Sequence, residues 1–391
     1  MKFLLIYVPN LRFREFHTEW EKIQIGNLIK ERKEYTSDFE KYPLYSFTIE
    51  SGITPKSDRY ERSFLVKKEG DLFKIVHQND FVMNPMNLRF GAINYSKINQ
   101  TVSVSGYYDI FTIDACKYNE FWNAYLKTPR MLYTYNTIAT GSLVEKKRVY
   151  FKQLKELKMC IPSEMEKNKI NEFINLLNER ILTQNKIIDD LVLQKKYIIS
   201  SLLKSIQDNE KIMLKDILFD YNIKTTINNE YPVLSSTASG MYLQSDYFNK
   251  ETSSDNTIGY KIVPRGYCTY RSMSDTGLFT FNIQNLVEKG IVSPAYPVFS
   301  SNDDYINEFI ILYLNNSSYI KKQILELKSG GTRFALPFST LCTLKIPKLE
   351  KEKQLSLIKT ITAFERKIEN EEIILNALHQ QKIFLLNNMF I

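Results

Sequence analysis

A chain of 391 residues with 43% hydrophobic and 13% aromatic side chains holds enough apolar material for two or three folded domains, which excludes general disorder. Its 52 Lys and Arg against 44 Asp and Glu leave a formal charge of +8, an excess that suits a polyanionic partner but is equally explained by plain lysine richness. Scattered Cys116, Cys160, Cys268 and Cys342, with only His17, His77 and His379, offer no clustered zinc ligands, and the apolar run Phe3–Val8 is too short for a signal peptide or membrane span, so a cytoplasmic protein with reduced, buried cysteines is expected.

In chain order, residues 1–160 read as one mixed α/β globule. It opens with Pro9-Asn10-Leu11-Arg12-Phe13, followed by Trp20-Glu21 and a run to Leu28 that fits a short strand entering a helical turn. Phe73-Lys74-Ile75-Val76 precedes the turn Gln78-Asn79-Asp80, and Phe81-Val82-Met83 reads as an alternating strand. Glu120-Phe121 with Tyr125-Leu126 fits an amphipathic helix, and Phe151-x-x-Leu154-x-x-Leu157 leads to Ile161-Pro162.

Residues 161–208 carry a seam of Ile170, Ile174, Leu177, Ile181, Gln184, Ile188, Leu191, Lys195, Ile198 and Leu202, spaced alternately by four and three. No Pro or Gly interrupts it, so a long coiled-coil helix is predicted. Residues 209–345 then repeat the first globule at a shift of 185–189. Tyr231-Pro232 echoes Tyr42-Pro43, Tyr260-Lys261-Ile262-Val263 echoes Phe73–Val76, Glu308-Phe309 echoes Glu120-Phe121, and Ile346-Pro347 echoes Ile161-Pro162. Residues 346–391 repeat the seam at a shift of 187, as Leu357, Ile361, Phe364, Ile368, Glu371, Leu375, Leu378, Lys382, Leu385 and Met389, with the polar breaks at the same places. The chain is built twice.

A bare seam of that length cannot stay in water, and its twin is the natural partner. The expected fold is α+β: two similar mixed α/β domains separated by two long antiparallel coiled-coil helices, related by a pseudo-twofold internal repeat. The alternative makes both helices ordinary core helices. Lys195 and Lys382 should weaken the pair while fixing its register. A helix of about 33 residues spans roughly 50 Å, against a B-DNA repeat of about 34–36 Å, so two unlike domains held apart could read two short targets along one duplex.

The opening Pro9–Phe13 with Trp20-Glu21, the two globules, the two repeat helices, and Thr140-Gly141-Ser142 with its counterpart Gly330-Gly331-Thr332-Arg333 resemble the specificity (S) subunit of type I restriction–modification systems. The likeness covers essentially the whole chain and lies in its organisation more than in any single motif. It implies that each globule is a target recognition domain reading half of a bipartite sequence in double-stranded DNA. It implies further that the helices set the spacing and dock two modification (methyltransferase) subunits, and that restriction subunits join them. S-adenosylmethionine and ATP would then belong to the partners, and the chain itself would need no cofactor, metal or membrane. The first turn continues into Lys146-Lys147-Arg148 whereas the second has a double glycine and Arg333, a departure from strict repetition.

The residues themselves argue against catalysis. No G-x-G pair and no G-x-x-x-x-G-K-[ST] occurs, so nucleotide loops are missing. Asn84-Pro85-Met86-Asn87 lacks the second Pro and the aromatic of an amino-methyltransferase box, and reads as a turn after a strand. Glu145-x-Lys147 is too common a triplet to mark a nuclease. Phosphates want Lys, Arg, Ser and Thr in loops, and base edges want Arg, Asn, Gln, Ser and Thr. The DNA-binding candidates are therefore Lys56, Ser57, Arg59, Asn84, Asn87, Arg89, Ser142, Lys146, Lys147 and Arg148 in the first globule, and Arg265, Tyr270, Arg271, Ser272, Thr332 and Arg333 in the second. Arg271 and Asn84 hold the same repeat position. The same residue types would also suit a solvated surface, and a coiled-coil scaffold whose globules bind proteins is the alternative function.

Overall fold

The computed structural model describes residues 8–49, 51–55, 72–143, 147–247, 256–327 and 334–391. They form two units: one joins residues up to Asn185 with Ile373–Ile391, and the other is Lys186–Glu372. The division falls inside each long helix. The four segments expected from sequence thus combine into two bodies, each holding one portion of either helix.

The long helices are Glu164–Ser205 and Lys351–Met389. All twenty seam positions are buried or half-buried, while the residues between them are largely exposed, as the spacing predicts. Within each unit the two helical portions run antiparallel. In the first, Lys382 Nζ donates to Asn178 Oδ1 at 2.5 Å, and Ile170 and Ile174 share a core with Met389 and Phe390. In the second, Lys195 Nζ meets Glu365 Oε1 at 2.7 Å, and Ile199 and Leu203 share a core with Ile361. Each seam lysine finds a polar partner across the pair at repeat-equivalent positions, contacts that favour this register.

The first unit carries a four-stranded antiparallel sheet in the order Ile29–Glu31, Asp109–Ile113, Phe81–Met83, Ile93–Tyr95. The second carries its equivalent, Leu218–Asp220, Val298–Ser301, Cys268–Tyr270, Phe281–Ile283. Hairpins Tyr45–Thr48 with Gly52–Pro55 and Leu234–Thr237 with Gly240–Leu243 also correspond. So do the pairs Glu21–Gln24 with Lys158–Ile161 and Lys211–Met213 with Lys345–Pro347. Phe81-Val82-Met83 does not alternate between core and water, because the sheet is covered on both faces. Phe81 and Met83 enter the core shared with the helices, and Val82 enters a second core with Val76, Val102, Val104 and Ile110. The predicted helices are Asn119–Tyr125 and Asn307–Asn316. Cys160 and Cys268 are buried as expected, Cys116 and Cys342 only half so, and all four are free thiols. Among the described residues no helix is long and apolar enough to cross a membrane.

The Pro9–Trp20 segment owes its composition to a buried ion pair. Arg12 Nε and Nη2 donate to the Glu166 carboxylate at 2.7 and 2.6 Å, and Trp20 Nε1 donates to it at 3.4 Å. Glu166, in the first turn of its helix, is fully buried. Near the start of the other long helix Gln354, which the shift of 187 matches to Lys167, is also fully buried. It accepts from the Ile306 N–H at 2.9 Å and donates to the carbonyls of Asp304 and Leu349 at 3.0 and 2.8 Å. One repeat holds its helix start with a charge pair, the other with a neutral amide.

Arg12→Met should destabilise the first unit by about 3 kcal/mol, because it leaves a buried carboxylate without its cation, and adding Glu166→Gln should recover most of that loss. Both tryptophans, Trp20 and Trp122, are buried in the first unit, so urea unfolding followed by their fluorescence reads this unit alone. A second expectation concerns pH. Burial pushes the Lys127 ammonium down to about 8, with Glu120 opposing and Lys382 and Lys97 reinforcing the shift. An unfolded lysine titrates near 10.4, so between about pH 8 and 10 the unfolded chain binds more protons and stability rises with pH. Lys127→Met should flatten that rise in the same fluorescence assay; an identical slope in the variant would contradict it.

Candidate nucleic-acid interface

In the first unit the strand Phe81–Met83 ends at Asn84, whose side chain shapes the following turn. Asn84 Oδ1 accepts the Met86 N–H at 3.1 Å, and the Asn84 carbonyl accepts the Asn87 N–H at 3.1 Å. The Asn87 carbonyl then accepts from Phe90 and Ala92 at 2.9 and 3.1 Å, and Gly91 closes the turn at φ +89°, a conformation glycine adopts without strain. Arg89 lays its guanidinium 4.7 Å from the centroid of the exposed Phe90 ring.

A second segment is seated on this turn. Thr140 and Arg148 exchange both backbone hydrogen bonds at 2.9 Å, and the Val149 N–H donates to the Pro85 carbonyl at 3.0 Å. The turn that carries Asn84, Asn87 and Arg89 is thereby joined at Pro85 to the segment that ends in Lys147, Arg148 and Val149, with Ser142 beyond the Thr140 bridge. A third loop joins them at the turn Ser105–Tyr108, where the Tyr108 N–H donates to the Ser105 carbonyl at 3.1 Å. Its Tyr107 ring lies under the Arg148 guanidinium at 5.3 Å. Burial pushes the Tyr107 phenol up, against the pull of Arg148, so the ring stays neutral.

The second unit builds the same frame with other side chains. Arg271 directly follows the strand Cys268–Tyr270, as Asn84 follows its counterpart. The Leu336 N–H donates to the Ser272 carbonyl at 2.8 Å, which repeats the Val149–Pro85 bond at a shift of 187 in both residues. Ser272 Oγ donates to the Ala295 carbonyl at 2.9 Å, and Ala295 stands where the first unit has Tyr107. Here Met273–Ser274 pairs with Phe334–Ala335, a ladder the first unit replaces by the Thr140–Arg148 bridge.

One candidate requires correction, and another stands apart from the rest. Tyr270 is a core residue: it is fully buried, its hydroxyl donates to the Leu336 carbonyl at 2.8 Å, and its ring packs on Phe281. An inward position in a strand covered on both faces removes it from any surface. Arg265 is exposed but belongs to a different turn, where Nε donates to Glu288 at 2.7 Å and Nη1 to the Asn285 carbonyl at 2.9 Å. Lys56, Ser57, Arg59, Lys146, Thr332 and Arg333 lie outside the described residues. Tyr107 is the residue that sequence reasoning missed. The signal was present in Gly106-Tyr107-Tyr108 between two strands, where the repeat offers Pro294-Ala295-Tyr296.

Charge at these loops differs from charge nearby. Arg32 is held by Asp80 and Glu34, His77 by Glu34, and Lys97 by Glu120. Lys147, Arg148 and Arg271 make no side-chain hydrogen bond or ion pair with any described residue. Among the described residues no three His, Cys, Asp or Glu side chains are grouped to hold a metal ion. The surface can offer donors and stacking faces.

No family model and no curated protein matches the sequence. Among solved structures, the chain is similar to the type I restriction–modification S subunit from M. genitalium, at 13% identity over 98% of this chain and 99% of that one, with a TM-score of 0.50. It is similar to a chain from a structure of a type I R-M system at 12% identity, covering 95% and 97%, with a TM-score of 0.57. The HsdS subunit from Thermoanaerobacter tengcongensis matches at 12% identity, covering 95% and 96%, with a TM-score of 0.51. The chain has the S-subunit fold over nearly its whole length.

Tyr270→Phe should destabilise the second unit by about 1–2 kcal/mol, because it strands the Leu336 carbonyl. Hydrogen exchange at the Leu336 and Cys268 amides should speed up accordingly, and unaltered exchange would return Tyr270 to the list of surface donors.

Proposed function

We propose that this chain is the DNA-specificity subunit of a type I restriction–modification complex, with each unit reading one half of a bipartite duplex target. The observation that carries the reading is a pair of equivalent loop frames bearing unlike side chains: Asn84 against Arg271, and Tyr107 against Ala295, on backbones joined by the same Val149–Pro85 and Leu336–Ser272 bonds. A duplicated reader of two different half-sites needs that arrangement, because the frame positions and the side chains specify. The likeness to S subunits over nearly the whole chain supports it.

In this reading the chain catalyses nothing. Modification subunits bind S-adenosylmethionine and restriction subunits use ATP, while the helices set the distance between half-sites. Two modification subunits are favoured by a further repetition. Tyr197 of the second unit and Phe384 of the first, equivalent at a shift of 187, are both strongly exposed on their helices, and Ile187 and Ile374 are exposed to a lesser degree. Exposed aromatics at repeat-equivalent places offer two like anchors for two copies of one partner.

The test is selection of duplexes from a randomised library by the full chain with its modification subunits. Two short preferred sequences separated by an indifferent spacer are expected, with affinity falling steeply as salt rises. Removal of seven residues from each helix at repeat-equivalent positions should shorten the preferred spacer without altering either half-site. Salt-insensitive or sequence-blind binding would leave the chain a protein scaffold instead.

A further inference from the structure

We infer that Arg148, held by Tyr107, is the side chain with which the first unit reads a guanine, and that this device belongs to that unit alone. The inference rests on the DNA-reading function proposed above and names the chemistry of one of its contacts.

Arg148 is presented from a fixed backbone. Both of its main-chain hydrogen bonds go to Thr140 at 2.9 Å, and its neighbour Val149 is pinned to the Pro85 carbonyl at 3.0 Å. Its guanidinium carbon sits 5.3 Å from the Tyr107 ring centroid, with no hydrogen bond or ion pair to any described residue. A guanidinium is a planar fork of donors that matches the O6 and N7 acceptors of guanine in the major groove. A ring beneath the fork restricts its rotamers before binding, so less freedom is lost when the two bonds form. Tyr107 is itself 40% exposed, at the rim of a groove of about 550 Å³ lined by Tyr45, Phe47, Leu72 and Tyr108, so the stacked pair is open to approach.

Comparison of the repeats sharpens the point. Arg148 corresponds to Ala335, and Tyr107 to Ala295. Both partners of the stack are alanine in the second unit, where the loop is held by the Ser272 hydroxyl on the Ala295 carbonyl and by the Met273–Ala335 pairing. A ring kept only to fill space would not need to change in step with an arginine. Arg12 and Arg265 are engaged by Glu166 and Glu288, whereas Arg148 stacks on a ring and makes no hydrogen bond or ion pair with any described residue.

The experiment selects duplexes from a randomised library with the full chain and its modification subunits, comparing the parent with Arg148→Ala, Arg148→Lys, Tyr107→Ala and Tyr107→Phe. The parent should prefer G at one position of one half-site. Both Arg148 variants should lose that preference by roughly 5- to 150-fold at that position only, since lysine lacks the fork. Tyr107→Ala should weaken the same position, and Tyr107→Phe should keep it. Retained selection of the other half-site shows that each variant is folded. A uniform loss of affinity across all duplexes would make Arg148 a phosphate contact and overturn the inference, as would unchanged selection or a dependent base other than guanine. A parent that selects no sequence at all would overturn the DNA-reading function and this inference together, an outcome distinct from the variant results.

Discussion

The constraint on which the rest depends is that a long apolar helical seam must be covered. Two helices of 42 and 39 residues carry the same ten-position stripe, and neither has enough globule beside it to bury that stripe by itself. Covering one with the other in antiparallel fashion makes each unit a composite of distant parts of the chain. The polar residues in the stripe favour one register: Lys382 meets Asn178 and Lys195 meets Glu365, and a slip would break both contacts. Placing the helix ends in this way also seats Phe390 among Trp20, Phe121 and Tyr125 in the first core.

On that footing the two halves have kept their skeleton and exchanged their details. Equivalent sheets, hairpins and turn hydrogen bonds recur, while the helix start is held by Glu166 on Arg12 in one half and by Gln354 on main-chain groups in the other. The loops follow the same rule on the surface. Backbone bonds such as Val149 to Pro85 and Leu336 to Ser272 fix where a side chain emerges, so the residue at that place can change without disturbing the frame. Separating support from reading in this manner lets one architecture hold two different sets of contacts.

Much of this was written in the sequence in legible form. The paired seams were plain because period and repetition reinforce one another, and every seam position is covered as the spacing required. The Asn84 and Arg271 turns were found because an apolar run gives way to polar residues at matching places. Tyr270 was misread because a strand covered on both faces is apolar throughout, and the last tyrosine of such a run cannot be told from a rim residue without its hydroxyl partner, Leu336. The ion pair of Arg265 with Glu288 was not legible, since it joins positions whose nearness only the fold reveals. Tyr107 was missed because one aromatic between two strands carries no periodicity, and the stacking arginine lies forty-one positions away.

The division of the chain also has a consequence for truncation. The second unit is continuous from Lys186 to Glu372, whereas the first needs Ile373–Ile391 to complete its helix pair and aromatic core. In the order of coding, everything the later body requires precedes Ile373, whereas the earlier body's closing piece is read last. A chain cut short before Phe390 would therefore keep the whole second unit and lose the ring that packs on Trp20 and Tyr125 in the first.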